Sequence, residues 1–445
     1  MSDAEATMRA SLREAVVYAL MLGLGEAFFV ADAVRMGASA IELGLVVALP
    51  LFVGALGPAG ALAAIGRGLS MRKLAVFGAV VQALALTMLA AAELFARLTP
   101  SSLIGLACIY HVAGQLTGTA WSAWIGDVVP ATERGGYFAR RTRRVHGGTV
   151  AGLVGAGATL QLTGARGDGL GFAVIFGAAA AMRLASAGSF ASCPEPEPRS
   201  ILPLRAFRAE LRAADGRRIL GLVLAVFSLQ LSVYLAAPYF APFMLETLDM
   251  SYLAFTAATF AVGLGSALAL PAWGRAIDRY GARPTFLLAV LLIAVVPAPW
   301  FFATGLGVVA PAQAFSGIGW AGYEVGLFSL LLEITRPAAR PYAVALVAVA
   351  TGTGQLLGGL LGALVVGRFA FVGVLAATLA ARLAISLGLP ALVSATDTKT
   401  IGRRKLLLRV IGIRPNAGLI HRLLLVEPGD DDEVPARDVD PSSTR

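Results

Sequence analysis

Twelve apolar runs follow one another along the chain, near residues 14–34, 43–64, 74–94, 102–124, 145–164, 169–190, 219–241, 252–273, 285–303, 307–332, 342–366 and 370–391. A hydrocarbon core about 30 Å thick is crossed by about 20 helical residues at about 1.5 Å each, so every run has the length of one crossing. Lipid offers the backbone no hydrogen-bond partners, and helices are the form such runs can take. Composition agrees: 57% of the 445 residues are hydrophobic and 14% charged, where a soluble domain carries about 25% charged. The chain reads as an all-α membrane protein.

A formal charge of +9 would suit nucleic acid, but the arginines gather in alternate connections. Those after even-numbered runs hold Arg67, Arg72 and Lys73; Arg134, Arg140, Arg141, Arg143 and Arg144; six arginines between 199 and 218; Arg275, Arg279 and Arg283; and Arg336 with Arg340. The other connections hold Arg35, Arg97, Arg166 or Arg368 singly, or none. The positive-inside rule then puts both termini in the cytoplasm and leaves no nucleic-acid partner. The first run is too long for a cleaved signal peptide, and two cysteines, Cys108 and Cys193, make no disulfide framework.

The sequence divides into a six-run half (1–191), a linker (192–218), a second half (219–391) and a tail (392–445). In the linker, Leu204, Phe207 and Leu211 share one helical face while Arg205, Arg208 and Arg212 share another, the pattern of an amphipathic helix on the inner leaflet or of a solvated linker. The tail turns from basic and apolar to acidic, as a disordered cytosolic segment does. The halves look duplicated. Arg134 follows Asp127 by seven residues and Arg340 follows Glu333 by seven; Arg183 follows Phe172 by eleven and Arg382 follows Phe371 by eleven.

Between the eighth and ninth runs lies GRAIDRYGARP. Gly274, Asp278, Arg279, Gly281 and Arg283 match a G-x-x-x-D-R-x-G-x-R pattern, and here the chain resembles the major facilitator superfamily. That resemblance implies twelve helices in two pseudo-symmetric halves that rock about a central site, with a charged latch on the cytoplasmic side. The latch would comprise Asp127, Arg134, Asp278, Arg279, Arg283, Glu333 and Arg340, with Arg279 or Arg283 pairing Glu333 and Asp278 facing the start of the fifth run. The first-half loop, GALAAIGRGLSMRKLA, has no acid at the aspartate position. The family's fourth-helix arginine is missing, as is the proline after Gly152 in the fifth run. Both departures argue against a drug–proton antiporter.

Polar groups inside a bilayer are costly and face protein or water. Glu26, His111, Gln115, Gln230, Tyr234, Gln313 and Glu324 fall in runs 1, 4, 7 and 10, the four that line the central cavity in the resembled family. They are the candidate substrate and coupling residues, with Glu26 the protonatable one. Asp32 is expected at headgroup level, and Arg183 and Arg382 as snorkelling or pairing residues. Glycines 148, 152, 155 and 157 in the fifth run and 352, 354, 358, 359 and 362 in the eleventh suggest packing seams between the halves.

No phosphate-binding loop, H-E-x-x-H, Cys/His cluster or G-x-S-x-G occurs, which points away from an enzyme and from any cofactor. The expected function is a secondary active transporter for a small solute, proton-coupled, monomeric and multi-pass in the plasma (inner) membrane. The alternative is a transporter-like sensor that signals through its tail.

Overall fold

A computed structural model describes residues 3–129, 134–163, 169–194, 211, 214–335 and 340–393. Every element among them is helical. α1 runs from Asp3–Leu24 through a short 3-10 turn, Glu26–Phe28, into Phe29–Arg35. α2 comprises Ala40–Gly54 and Gly57–Gly66, followed by α3 (Met71–Leu94), α4 (Pro100–Val128), α5 (Arg134–Leu162) and α6 (Leu170–Ala191). α7 (Ala214–Tyr234) passes into a 3-10 turn at Ala237–Tyr239, and α8 (Tyr252–Tyr280), α9 (Ala282–Val295) and α10 (Leu306–Ile334) follow. α11 (Arg340–Leu392) holds the last two expected runs and is broken at Ala370, where φ is 55° and ψ is −172°.

Ten of these segments are long and apolar enough to cross a membrane, and the chain is an integral multi-pass membrane protein. α5 is not among the ten: its first half, RGGYFARRTRRVHGG, is strongly basic, and the apolar run expected from 145 onward is diluted by His146, glycines and Gln161. Local chemistry sets the starts. Ser39 and Glu42 form a capping box on α2, as Thr99 and Ser102 do on α4, while Ser70 and Ser251 cap α3 and α8. Gly281 takes φ of 87° between α8 and α9, a conformation that favours glycine, in the charged turn expected from the sequence. The expected amphipathic linker helix, apart from Leu211, and the tail beyond 393 lie outside the described residues.

The glycines pack differently from the expectation. Gly148 and Gly152 lie against Ala19, Leu20 and Gly23 of α1, within the N-terminal group of helices. Gly354, Gly358 and Gly362 follow α7 through Phe227, Leu231 and Leu235, within the C-terminal group. Only a second set crosses between the groups: Gly157 against Thr256, Gly352 against Phe52, and Gly359 against Gly44 and Ala48. Spacing by four builds one helix face, and residues offset from it point to a different neighbour.

The buried core is shared at one end of the molecule and divided at the other. One cluster joins Phe28, Phe29, Leu43, Leu86, Tyr110 and Phe172 to Tyr239, Tyr252, Phe255 and Trp300. It lies at the end opposite the arginine-rich connections. Toward those connections the clusters separate, one around Trp273 and Phe286 and others around Trp124 and Tyr137.

Candidate functional site

Glu26 stands where α1 loses its regular hydrogen bonding, at the first residue of the 3-10 turn. The hydroxyl of Tyr110, itself 1% exposed, donates to Glu26 Oε2 at 2.9 Å. The Tyr110 ring packs edge-on against Phe29, at 5.4 Å, and His111, at 5.3 Å. His111 and Gln115 share a face of α4, and the missing side chains of Gly54 and Gly57 let α2 lie against their Cβ atoms. His111 is half-buried and Gln115 exposed. Glu26 and His111 thus meet through Tyr110, a residue the sequence reading passed over.

A second polar group ties α7, α10 and α11 together. Gln230 is buried; its amide donates toward Tyr323 Oη at 3.5 Å, and Gln355 Nε2 donates to Gln230 Oε1 at 3.3 Å. Gln355 was legible as an isolated amide in an apolar run, whereas Tyr323 is neutral in any hydropathy scan. Tyr234 lies half-buried one turn along α7, with Gly358 of α11 against its Cβ. On α10, Gly319 and Gly326 pack on Ile293 and Phe286 of α9. Gln313 and Glu324 sit on the opposite side of the helix, and Glu324 is exposed. No hydrogen bond or ion pair among the described residues links the Glu26 group to the Gln230 group.

The latch residues are placed unevenly. Asp278, Arg279 and Glu333 are exposed, and the side chains of Asp127, Arg134 and Arg340 lie outside the described residues. Arg283 does not take the expected partner: its guanidinium donates to the carbonyls of Val393 and Pro390 at 2.8 and 3.0 Å. Arg72 does the same in the first half, donating to Cys193 O at 2.9 Å. The last carbonyls of a helix are unsatisfied and carry partial negative charge, so each arginine caps the end of α11 or α6.

Three buried charged clusters went unread. Glu14, midway along Asp3–Leu24 of α1, takes Arg141 of α5 at 3.1 Å and Ser186 of α6 at 3.0 Å, with Arg183 at 3.9 Å. Arg382 is 2% exposed and donates to Thr378 Oγ1, Ile293 O and Val233 O. Asp32 is fully buried within the protein, clasped by Arg35, which also binds Glu93. Both acids were visible in the sequence; their convergence depends on the helix packing. Among the described residues no group of His, Cys, Asp and Glu could hold a metal ion.

Residues 222–426 match the family model described as Major Facilitator Superfamily. The MFS-type transporter patC of Penicillium expansum is 28% identical over 170 residues, 36% of this chain and 31% of that protein. The matched part is therefore about a third of that relative's length. A mutant of the nucleoside transporter NupG has a TM-score of 0.69 at 14% identity, over 88% of this chain and 100% of that one. A D-xylose-proton symporter reaches 0.61 at 18% identity, over 86% and 96%. A bacterial homolog to the human lysosomal transporter Spinster, in an inward-facing and unoccupied conformation, reaches 0.62 at 13% identity, over 88% and 96%. The structural likenesses give the fold over 86–88% of the chain, and the match to the major facilitator superfamily model is carried by residues 222–426.

Proposed function

We propose that the chain is a secondary active transporter with twelve membrane crossings, cytoplasmic termini and two six-helix halves, 1–191 and 219–391, that rock about a chamber between them. The observation that carries this reading is the core itself, joined across the halves at one end and divided at the other. With the arginine-rich connections on the inside, the chamber opens to the cytoplasm and Glu26 stands near its closed end. Gln115 and Glu324, both exposed, would line its walls together with Gln313, Gln230 and Tyr234. Asp278, Arg279 and Glu333, with Asp127, Arg134 and Arg340, would meet when the inner side closes, since Arg283 is already engaged by carbonyls. The named cargoes of the fold neighbours, nucleosides and D-xylose, make a small polar solute the class to test.

Glu26 is the coupling carboxyl in this reading, because Tyr110 can hold it in either protonation state. Thermal-shift screening of nucleosides, sugars and short peptides identifies a ligand, and uptake into proteoliposomes then reads function. Glu26→Gln should abolish uptake driven by a pH gradient while the unfolding temperature stays within a degree or so of the parent. Full gradient-driven uptake by that variant removes Glu26 from the coupling step.

A further inference from the structure

At the joined end of the molecule, two carboxyl groups share one guanidinium. Arg35 Nε donates to Asp32 Oδ1 at 2.9 Å, and Arg35 Nη2 lies 2.7 Å from Asp32 Oδ1 and 2.5 Å from Glu93 Oε1. The side chains of Asp32, Glu93 and Arg35 are 0%, 4% and 11% exposed. Gly169, with φ of 73°, closes the pocket: a Cβ there would collide with Glu93 Oε2. Among the described residues the cluster holds one more negative than positive charge, and like carboxylates sharing a site resist ionising together. It also lacks a donor, since Asp32 Oδ2 is buried with no hydrogen-bond partner. One proton shared by the two carboxyls, whose Oδ1 and Oε1 both lie on Arg35 Nη2, cancels the excess charge.

The cluster is also wired to the seam. The Arg35 guanidinium lies over the Phe172 ring at 5.2 Å. Phe172 in turn meets Tyr252 of the other half edge-on at 5.9 Å, beside the crossing pair Phe28 and Phe255. We propose that Asp32 and Glu93 together form a second proton-binding site, open to exchange from the side opposite the arginine-rich connections, whose occupancy holds that side shut. Loss of the proton leaves two negative charges competing for Arg35, loosens its hold on Phe172 and frees the seam. Other ionisable groups at this end are Glu42, engaged by Ser39, Tyr252 at the seam, and the exposed Arg97, Glu246, Asp249 and Arg368. Arg166 and Asp168 lie outside the described residues.

This rests on the transporter reading for its orientation, and its test needs no substrate. A single cysteine at the seam, Thr256→Cys in a Cys108→Ser, Cys193→Ser background, is labelled on intact cells by a membrane-impermeant maleimide. Rates are normalised at each pH to those of the denatured protein. Raising the outside pH from about 5 to about 8 should speed labelling roughly tenfold, and Glu93→Gln or Asp32→Asn should stay slow throughout. Labelling that ignores pH with the cluster intact, or a full pH response in either variant, overturns the proposal. If the neutral variants fail to reach the membrane, Glu93→Asp must shift the pH midpoint, and an unmoved midpoint overturns it equally. Glu26→Gln keeps the labelling response while losing uptake. A chain that responds in labelling yet moves no solute defeats the transporter reading and leaves the proton site standing.

Discussion

Arg183 and Arg382 occupy the same place in the repeat, eleven residues after a phenylalanine, and both are buried. They are neutralised by different means. Arg183 has a carboxylate, Glu14, which stands twelve residues before the α1 turn at Glu26; twelve residues before the matching turn at Ala237 stands Ala225. Lacking an acid, Arg382 takes backbone carbonyls instead. One belongs to Ile293, whose usual donor four residues on is replaced by Pro297. The other is Val233 O, near the end of α7. Each carbonyl also accepts from a backbone N–H three residues on, Val296 N at 3.3 Å and Ala236 N at 3.2 Å, and the arginine adds a charged donor to the second lone pair where the helix tightens and ends. In the first half the same residue type serves an ion network with Arg141, whose guanidinium also lies 3.9 Å over the Trp121 ring. Removing the one carboxylate from that network should be costly, because the buried Arg183 and the partly buried Arg141 lose their counter-charge. Glu14→Gln is expected to destabilise the protein by about 3–5 kcal/mol, read from thermal unfolding in detergent. A melting temperature equal to the parent's would mean that water already neutralises both arginines.

Helix placement was legible because the bilayer fixes how many apolar residues a crossing needs, and the apolar runs mark each helix. Their ends were not. α5 begins at Arg134, well ahead of the run at 145, and α8 continues to Tyr280, past 273. Hydropathy reports contact with lipid, whereas the backbone goes on pairing with itself in the interface. Polar spacing found His111 with Gln115 and Gln230 with Tyr234, but not Tyr110, Tyr323 or Glu14, whose roles depend on what a neighbouring helix brings. The break in α11 belongs to this scale too. Ala370 adopts φ of 55° with ψ of −172°, a region nearly reserved for glycine, at a cost of about 1–3 kcal/mol. Ala370→Gly should therefore stabilise the protein by about 1 kcal/mol, offset in part by the freedom glycine gains in the unfolded chain. A lower melting temperature for that variant would show that the methyl group contributes packing worth more than the strain.

Across the whole molecule, the alternating-access reading turns on whether the joined end comes apart during a cycle. The crossing between α2 and α11 offers a direct probe. A Cβ built on Gly359 falls 3.1 Å from the Cβ of Ala48, and Gly359 O accepts from Tyr239 Oη at 3.0 Å. Disulfides span Cβ separations of about 3.5–4.5 Å, so a shift of a few tenths of an ångström would let cysteines at 48 and 359 bridge. Ala48→Cys with Gly359→Cys, in the Cys108→Ser, Cys193→Ser background, should cross-link under mild oxidant. If the halves must part there to load or release solute from outside, the oxidised protein stops transporting and the reductant restores it. Labelling of a cysteine on the inner face of the chamber should persist in the cross-linked form, because the divided cores at that end are untouched. Undiminished transport by a fully cross-linked population would mean that this seam is static packing, and that access alternates around some other boundary.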